Sequence, residues 1–144
     1  VACVNEKEPE IKMNVGREVE ALNPYEWLPA YGETAVNFST HAGDLWVWIE
    51  YDGERGLEKR ALVFSGVSAF HGSALPGPAL LNFTYPDKSV APMGSLVEFP
   101  DSEAAEAWTR HYGDGRAIKH YRIAFLGANS ILVVFAESVA LKSD

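Results

Sequence analysis

His111 and His120 flank the helix-to-strand connection and sit among Arg110, Arg116, Lys119 and Arg122, the one basic cluster in an otherwise acidic chain. Two imidazoles with cations beside them suit metal-independent cleavage of a phosphodiester: one ring takes a proton, the other returns it, and the cations hold the phosphate. The pattern around His120 also fits a plainer role. Lys119-His120-Tyr121-Arg122-Ile123-Ala124-Phe125 alternates as a strand does, which puts His120 and Arg122 on the face opposite Tyr121. A solvated outer sheet face accounts for them better than a cleft.

Other chemistries find less support. His41 and His71 stand apart in loop-like surroundings, and the chain has no His-x-His, His-Glu-x-x-His or Cys-x-x-Cys spacing. No metal or other cofactor is expected. Gly66-Val67-Ser68-Ala69-Phe70 lacks the second glycine of a nucleophile elbow. Gly113-Asp114-Gly115-Arg116 lacks the lysine and the following helix of a phosphate-binding loop, which leaves it a turn. Glu50, Glu98 and Glu137 fall near strand ends and are rim acids unless a cleft draws two of them together.

Aromatic area is more plentiful than catalytic groups, with Trp27, Trp46, Trp48 and Trp108 among aromatics that make up 12% of the residues. Trp46 and Trp48 share one face of their strand with Glu50, and Asp52 and Glu54 follow. If open, that face would offer large rigid anchors beside acids, the composition of an interface hot spot. Trp46, Trp48, Glu50, Asp52 and Glu54 are therefore the candidate partner-binding residues. The competing expectation, which weighs slightly more, is that a helix or the N-terminal segment covers that face. The net charge is −8, and residues 1–60 hold twelve acids against six bases. Such a field repels nucleic acid and anionic lipid and speeds docking of a basic protein. No apolar run approaches the roughly 20 residues needed to span a bilayer.

The elements that must position these residues read as α+β, mainly antiparallel β, forming a twisted sheet or a sandwich or barrel with one helix packed on it. Length fits a single domain over residues 1–144. Residues 1–35, interrupted by Pro9, Pro24 and Pro29, form an irregular segment that wraps the core, with Val19, Leu22, Trp27, Leu28 and Tyr31 available to dock it. Leu45–Tyr51 and the run from Arg60 to Phe70 pair as a hairpin, with a bulge or close approach at Gly66. Leu80–Tyr85 alternates as a half-exposed strand. A helix starts after Pro100, capped by Asp101 or Ser102 and stopped at Gly113, and sets Ala104, Trp108 and Tyr112 in one stripe toward the sheet. The chain closes with a hairpin around Gly127, whose second strand runs from Ile131 to Leu141.

Lys119–Phe125 followed by Ala136-Glu137-Ser138, with a Leu96-Val97-Glu98-Phe99 strand and a helix before them, resembles the C-terminal hairpin of small bacterial immunity proteins that neutralise polymorphic or contact-delivered toxins. The likeness covers about the last quarter of the chain. It implies a single-domain inhibitor without a cofactor, which blocks a toxin's active surface in a tight complex; the acidity agrees with a basic toxin domain. Two further readings stand beside it: a small-ligand-binding β domain with a cavity between the inner sheet faces under the helix, and a histidine-dependent phosphodiesterase. With Cys3 the sole cysteine, a reducing, cytoplasmic setting is expected. Val1-Ala2-Cys3 also resembles the end of a lipoprotein signal, so the alternative is a periplasmic protein anchored at Cys3.

Overall fold

The computed structural model describes residues 13–74, 83–84 and 94–143. Cys3 and most of the expected Leu80–Tyr85 strand lie outside the described residues. The strands are β1 (Met13–Asn14), β2 (Val19–Leu22), β3 (Ala35–His41), β4 (Asp44–Gly53), β5 (Gly56–Ser65), β6 (Ala69–Ala74), β7 (Phe83–Thr84), β8 (Leu96–Glu98), β9 (Lys119–Phe125), β10 (Ser130–Ala136) and β11 (Ser138–Ser143); the α-helix is α1 (Glu103–Tyr112). A five-stranded sheet runs β2-β8-β9-β10-β6 and a four-stranded sheet runs β11-β5-β4-β3, both antiparallel throughout. A short parallel pair, β1 with β7, completes the described strands. The described residues are thus mainly antiparallel β with one α-helix.

Alternation decides the core. Leu45, Val47 and Ile49 of β4 with Leu62 and Phe64 of β5 face Tyr121, Ile123 and Phe125 of β9 and Leu132 and Val134 of β10, all fully or nearly fully buried between the sheets. Phe64→Ala would cost about 3–5 kcal/mol. The expected hairpins form, Leu45 opposite Phe64 in the first and Ile131 opposite Ala124 in the second, but the run from Arg60 to Phe70 ends as a strand at Ser65, and Ala69 and Phe70 pair with β10 in the other sheet. The run from Ile131 to Leu141, expected as one strand, instead breaks at Glu137 and changes sheets, so β10 pairs with β9 and β11 with β5. The β5–β6 connection crosses at the same corner, where the Glu137 amide donates to the Ser65 carbonyl and the Ser68 amide to the Phe135 carbonyl. Gly66 makes that bend at φ +61, with the Glu137 side chain in the space a Cβ would occupy. Two strands therefore pass between the sheets side by side, which is a constraint that strand periodicity alone does not reveal.

The helix forms where its caps predict. Ser102 Oγ accepts the Ala105 amide at 3.2 Å, acids fill the first turn, and Gly113 closes the last turn at φ +64. Glu106 and Arg110 pair in solvent one turn apart, while Ala104, Ala105, Trp108 and Tyr112 pack on Val133 and Phe135. α1 thus packs on the outer face of the five-stranded sheet and not on the four-stranded sheet. In the N-terminal segment, Leu22, Trp27 and Leu28 dock on the core as expected. Val19 and Tyr31 do not; both are exposed.

Candidate functional site

β4 presents Trp46, Trp48 and Glu50 on the outer face of the four-stranded sheet, because Leu45, Val47 and Ile49 turn inward. The neighbouring strands complete that face in register: Ser39, Trp46, Val63 and Ala140 form one row, and Asn37, Trp48, Ala61 and Lys142 the next. The two indoles stack, with centroids 5.4 Å apart and planes at 23°. They lie over small or apolar neighbours, so that Ala61 and Val63 are buried although they point away from the core. The helix lies over the other sheet, and so the expected cover by a helix does not occur. Trp27 from the N-terminal segment packs on Tyr51, an inward-facing residue, rather than on this pair.

Two cations, which the sequence reading did not place, hold the rings. Lys59 Nζ sits 5.1 Å from the Trp48 centroid and Lys142 Nζ 5.2 Å from that of Trp46. Each contact is worth about 0.5–1 kcal/mol at an exposed site, and together they restrict ring rotation before any partner arrives. Lys59 stands directly opposite Glu50 across the β4–β5 pair. Asp52 and Glu54, at the exposed end of the hairpin, keep the acidic character. The structure thus gathers all five candidate residues on one strand and its turn. A signal for the lysines exists only in the registers of β5 and β11, which long-range pairing fixes.

The histidine pair is not assembled as a catalytic site. His120, expected on a solvated face, has no exposed surface. The helix covers that face, and the ring packs against Phe99 at 4.9 Å and Phe135 at 4.5 Å. Its Nδ1 lies 2.8 Å from Ser102 Oγ, the oxygen that caps α1. Burial lowers its pKa from 6.5 to about 4, with the Arg122 charge as the second cause. His111 is exposed on the helix and stacks edge-on with Trp108. A ring sealed beneath the helix cannot share a proton relay with one on its surface. Among the cations expected to help, Arg116 is paired with Asp114 and Arg122 with Glu18.

Among the described residues no group of three or more His, Cys, Asp or Glu is placed to hold a metal ion, and no helix is long and apolar enough to cross a membrane. The inner sheet faces are filled by their own side chains, so the cavity expected between them is absent among the described residues; a hollow of about 690 Å³ lies outside, beside α1. Compared with family models, curated proteins and solved structures, the chain matches none.

Proposed function

We propose that the chain is a non-enzymatic binding protein that docks the outer face of its four-stranded sheet on a basic protein, as an immunity protein does when it covers a toxin's active surface. The observation that carries this reading is the stacked Trp46–Trp48 pair, held by Lys59 and Lys142 on a sheet face that the helix leaves open. Tryptophan is favoured among residues that dominate binding energy, and rings already fixed lose little freedom on docking. The basic character of the partner follows from the −8 net charge and from Asp52 and Glu54 at the end of the same hairpin. Those acids steer the encounter, while the indoles slow dissociation.

The test begins with affinity capture from the native cell lysate at low and high salt, followed by kinetics with the recovered basic protein. Trp48→Ala is expected to cost about 2–4 kcal/mol of binding, mainly in dissociation rate. Glu50, Asp52 and Glu54 all changed to Lys should slow association at low salt, with a difference that shrinks as salt rises, and should leave the unfolding transition cooperative. Capture of no basic protein, or affinities unchanged in both variants, overturns the reading.

A further inference from the structure

β3 lies at one edge of the four-stranded sheet, with β4 on one side and no strand on the other among the described residues. A bare edge invites pairing with another chain, and proteins blunt it with charge, proline, a bulge or a very short strand. The other edges are blunted or weakened: β2 is four residues long with a shift of register after Glu20, β11 carries Lys142, and Gly72 sits within β6. β3 has none of these devices. Ala35-Val36-Asn37-Phe38-Ser39-Thr40-His41 pairs with β4 in unbroken register and contains no Asp, Glu, Lys, Arg or Pro. Asn37 to His41 are all exposed, and Phe38 keeps 49% of its surface in solvent.

Two turns fix which backbone groups lie on that edge. β4 meets β5 through a two-residue turn closed by Gly53 and Gly56, and β3 through another closed by His41 and Asp44. The pair closing such a turn exchanges hydrogen bonds, and bonded pairs recur at every second residue along an antiparallel ladder. Both turns give the same answer: Asp44, Trp46, Trp48 and Glu50 turn their backbone groups toward β3, opposite His41, Ser39, Asn37 and Ala35. Val36, Phe38 and Thr40 therefore direct their amides and carbonyls outward. Phe38 is the middle residue of β3, so a second β3 laid antiparallel along the whole strand meets the first in a hydrogen-bonded register. In that register Phe38 opposes Phe38 of the second copy and Val36 opposes its Thr40, while Asn37 opposes its Ser39 on the other face.

We propose that β3 pairs antiparallel with β3 of a second copy of this chain, about a two-fold axis at Phe38, so that the two four-stranded sheets become one. A second copy fits this edge better than a basic protein does, because the strand has no acid to attract one. In its own copy each residue finds a compatible neighbour: phenyl beside phenyl, valine beside the threonine methyl, amide beside hydroxyl. The contact is isologous and closes at two copies. Paired edge strands alone bury less than the roughly 1,200–2,000 Å² of a standard interface, and each copy carries a net charge of −8. The dimer is therefore weak, and salt strengthens it by screening the repulsion. Trp46 and Trp48 stand on the outer face of the sheet and not at its edge, so the inference does not rest on the docking reading.

Sedimentation velocity on the full chain from about 5 μM to about 1 mM, at low and high salt, measures the association, and two-dimensional NMR over the same range locates it. A monomer–dimer equilibrium with a Kd of about 10–500 μM is expected, tighter at high salt, with the amide signals of Val36, Phe38 and Thr40 moving as the concentration rises. Phe38→Asp sets two carboxylates against each other at the axis and should weaken association about tenfold or more, as should Phe38→Lys. An equimolar mixture of these two variants places opposite charges at the axis and should associate again. A native chain still monomeric at about 1 mM, a dimer that salt dissociates, association unchanged in Phe38→Asp, or a mixture no tighter than its components each overturns the proposal. If neither variant folds, the native chain decides: concentration-dependent shifts centred on β3 support the pairing, and shifts centred on any other element refute it.

Discussion

His120 is a titratable ring sealed between Phe99, Phe135 and the cap of α1, and its pKa of about 4 makes it a determinant of acid stability. The Ser102 hydroxyl accepts the Ala105 amide and has its own proton available for Nδ1, an arrangement that suits the neutral ring. In the unfolded chain the imidazole titrates near 6.5. Above that value neither state takes the proton and the full stability is present. Between about 6.5 and about 4 the unfolded chain binds a proton that the folded chain refuses, so stability falls as the pH is lowered. The loss attributable to this ring approaches about 3 kcal/mol once the pH is below the folded value. Urea unfolding of the native chain and of His120→Gln at several pH values from 7 to 4 isolates it, since other groups contribute to both. The variant is expected to be less stable at pH 7 but to lose less on acidification. Parallel curves for the two proteins would show that the ring is not excluded from protonation.

At the scale of elements, the β9–β10 hairpin is held to the N-terminal part of the chain by an approach too close for a side chain. A Cβ on Gly127 would run into the Glu33 carbonyl oxygen, and Glu33, itself buried, accepts the Ala128 amide at 2.9 Å. Gly127→Ala must push backbone aside and should cost about 2 kcal/mol. Gly43→Ala is the control: its φ is +85 but nothing stands within 4 Å of a Cβ, so only the left-handed backbone opposes it, at about 1 kcal/mol. Denaturation midpoints compare the two, and equal losses would mean that the contact with Glu33 is not limiting. The turns, the helix with its caps and both hairpins were legible in the sequence because each is set by residues a few positions apart. β3 was not read, since Ala35–His41 carries only Val36 and Phe38 as large apolar residues and lies at a sheet edge. Alternation also tells which residues share a face but not what packs on it. For that reason His120 was expected in solvent although the helix covers it, the half-buried Trp46 and Trp48 were expected under a helix or the N-terminal segment although α1 lies on the other sheet, and Lys59 and Lys142 were not placed beside them. The hollow beside α1 depends on which strands the helix crosses, which is a long-range outcome of the same kind.

For the whole molecule, the question is what fastens the N-terminal segment to the sheets. β2 pairs with β8 at the edge of the five-stranded sheet, and just before it the Glu18 carboxylate, 1% exposed, meets the Arg122 guanidinium of β9 at 2.8 Å. Arg122 also lies 5.2 Å from the ring centroid of Phe99, the residue that follows β8. The two members of this pair are not equivalent. The acid is buried while the arginine keeps a quarter of its surface in water, so loss of the arginine leaves a carboxylate in a site that solvent cannot reach. Arg122→Met is therefore expected to destabilise the fold by about 3–5 kcal/mol, whereas Glu18→Gln, which leaves a cation still able to hydrate and to stack on Phe99, should cost about 1 kcal/mol. Combining them removes both charges and should cost much less than the sum, because the penalty in the first variant is a buried charge that has lost its cation rather than the lost attraction. Equilibrium unfolding of the two single variants and the double variant measures this asymmetry. Equal single losses that add in the double variant would mean that the pair behaves as a solvated surface contact, and that the apolar docking of Leu22, Trp27 and Leu28 holds the segment without it.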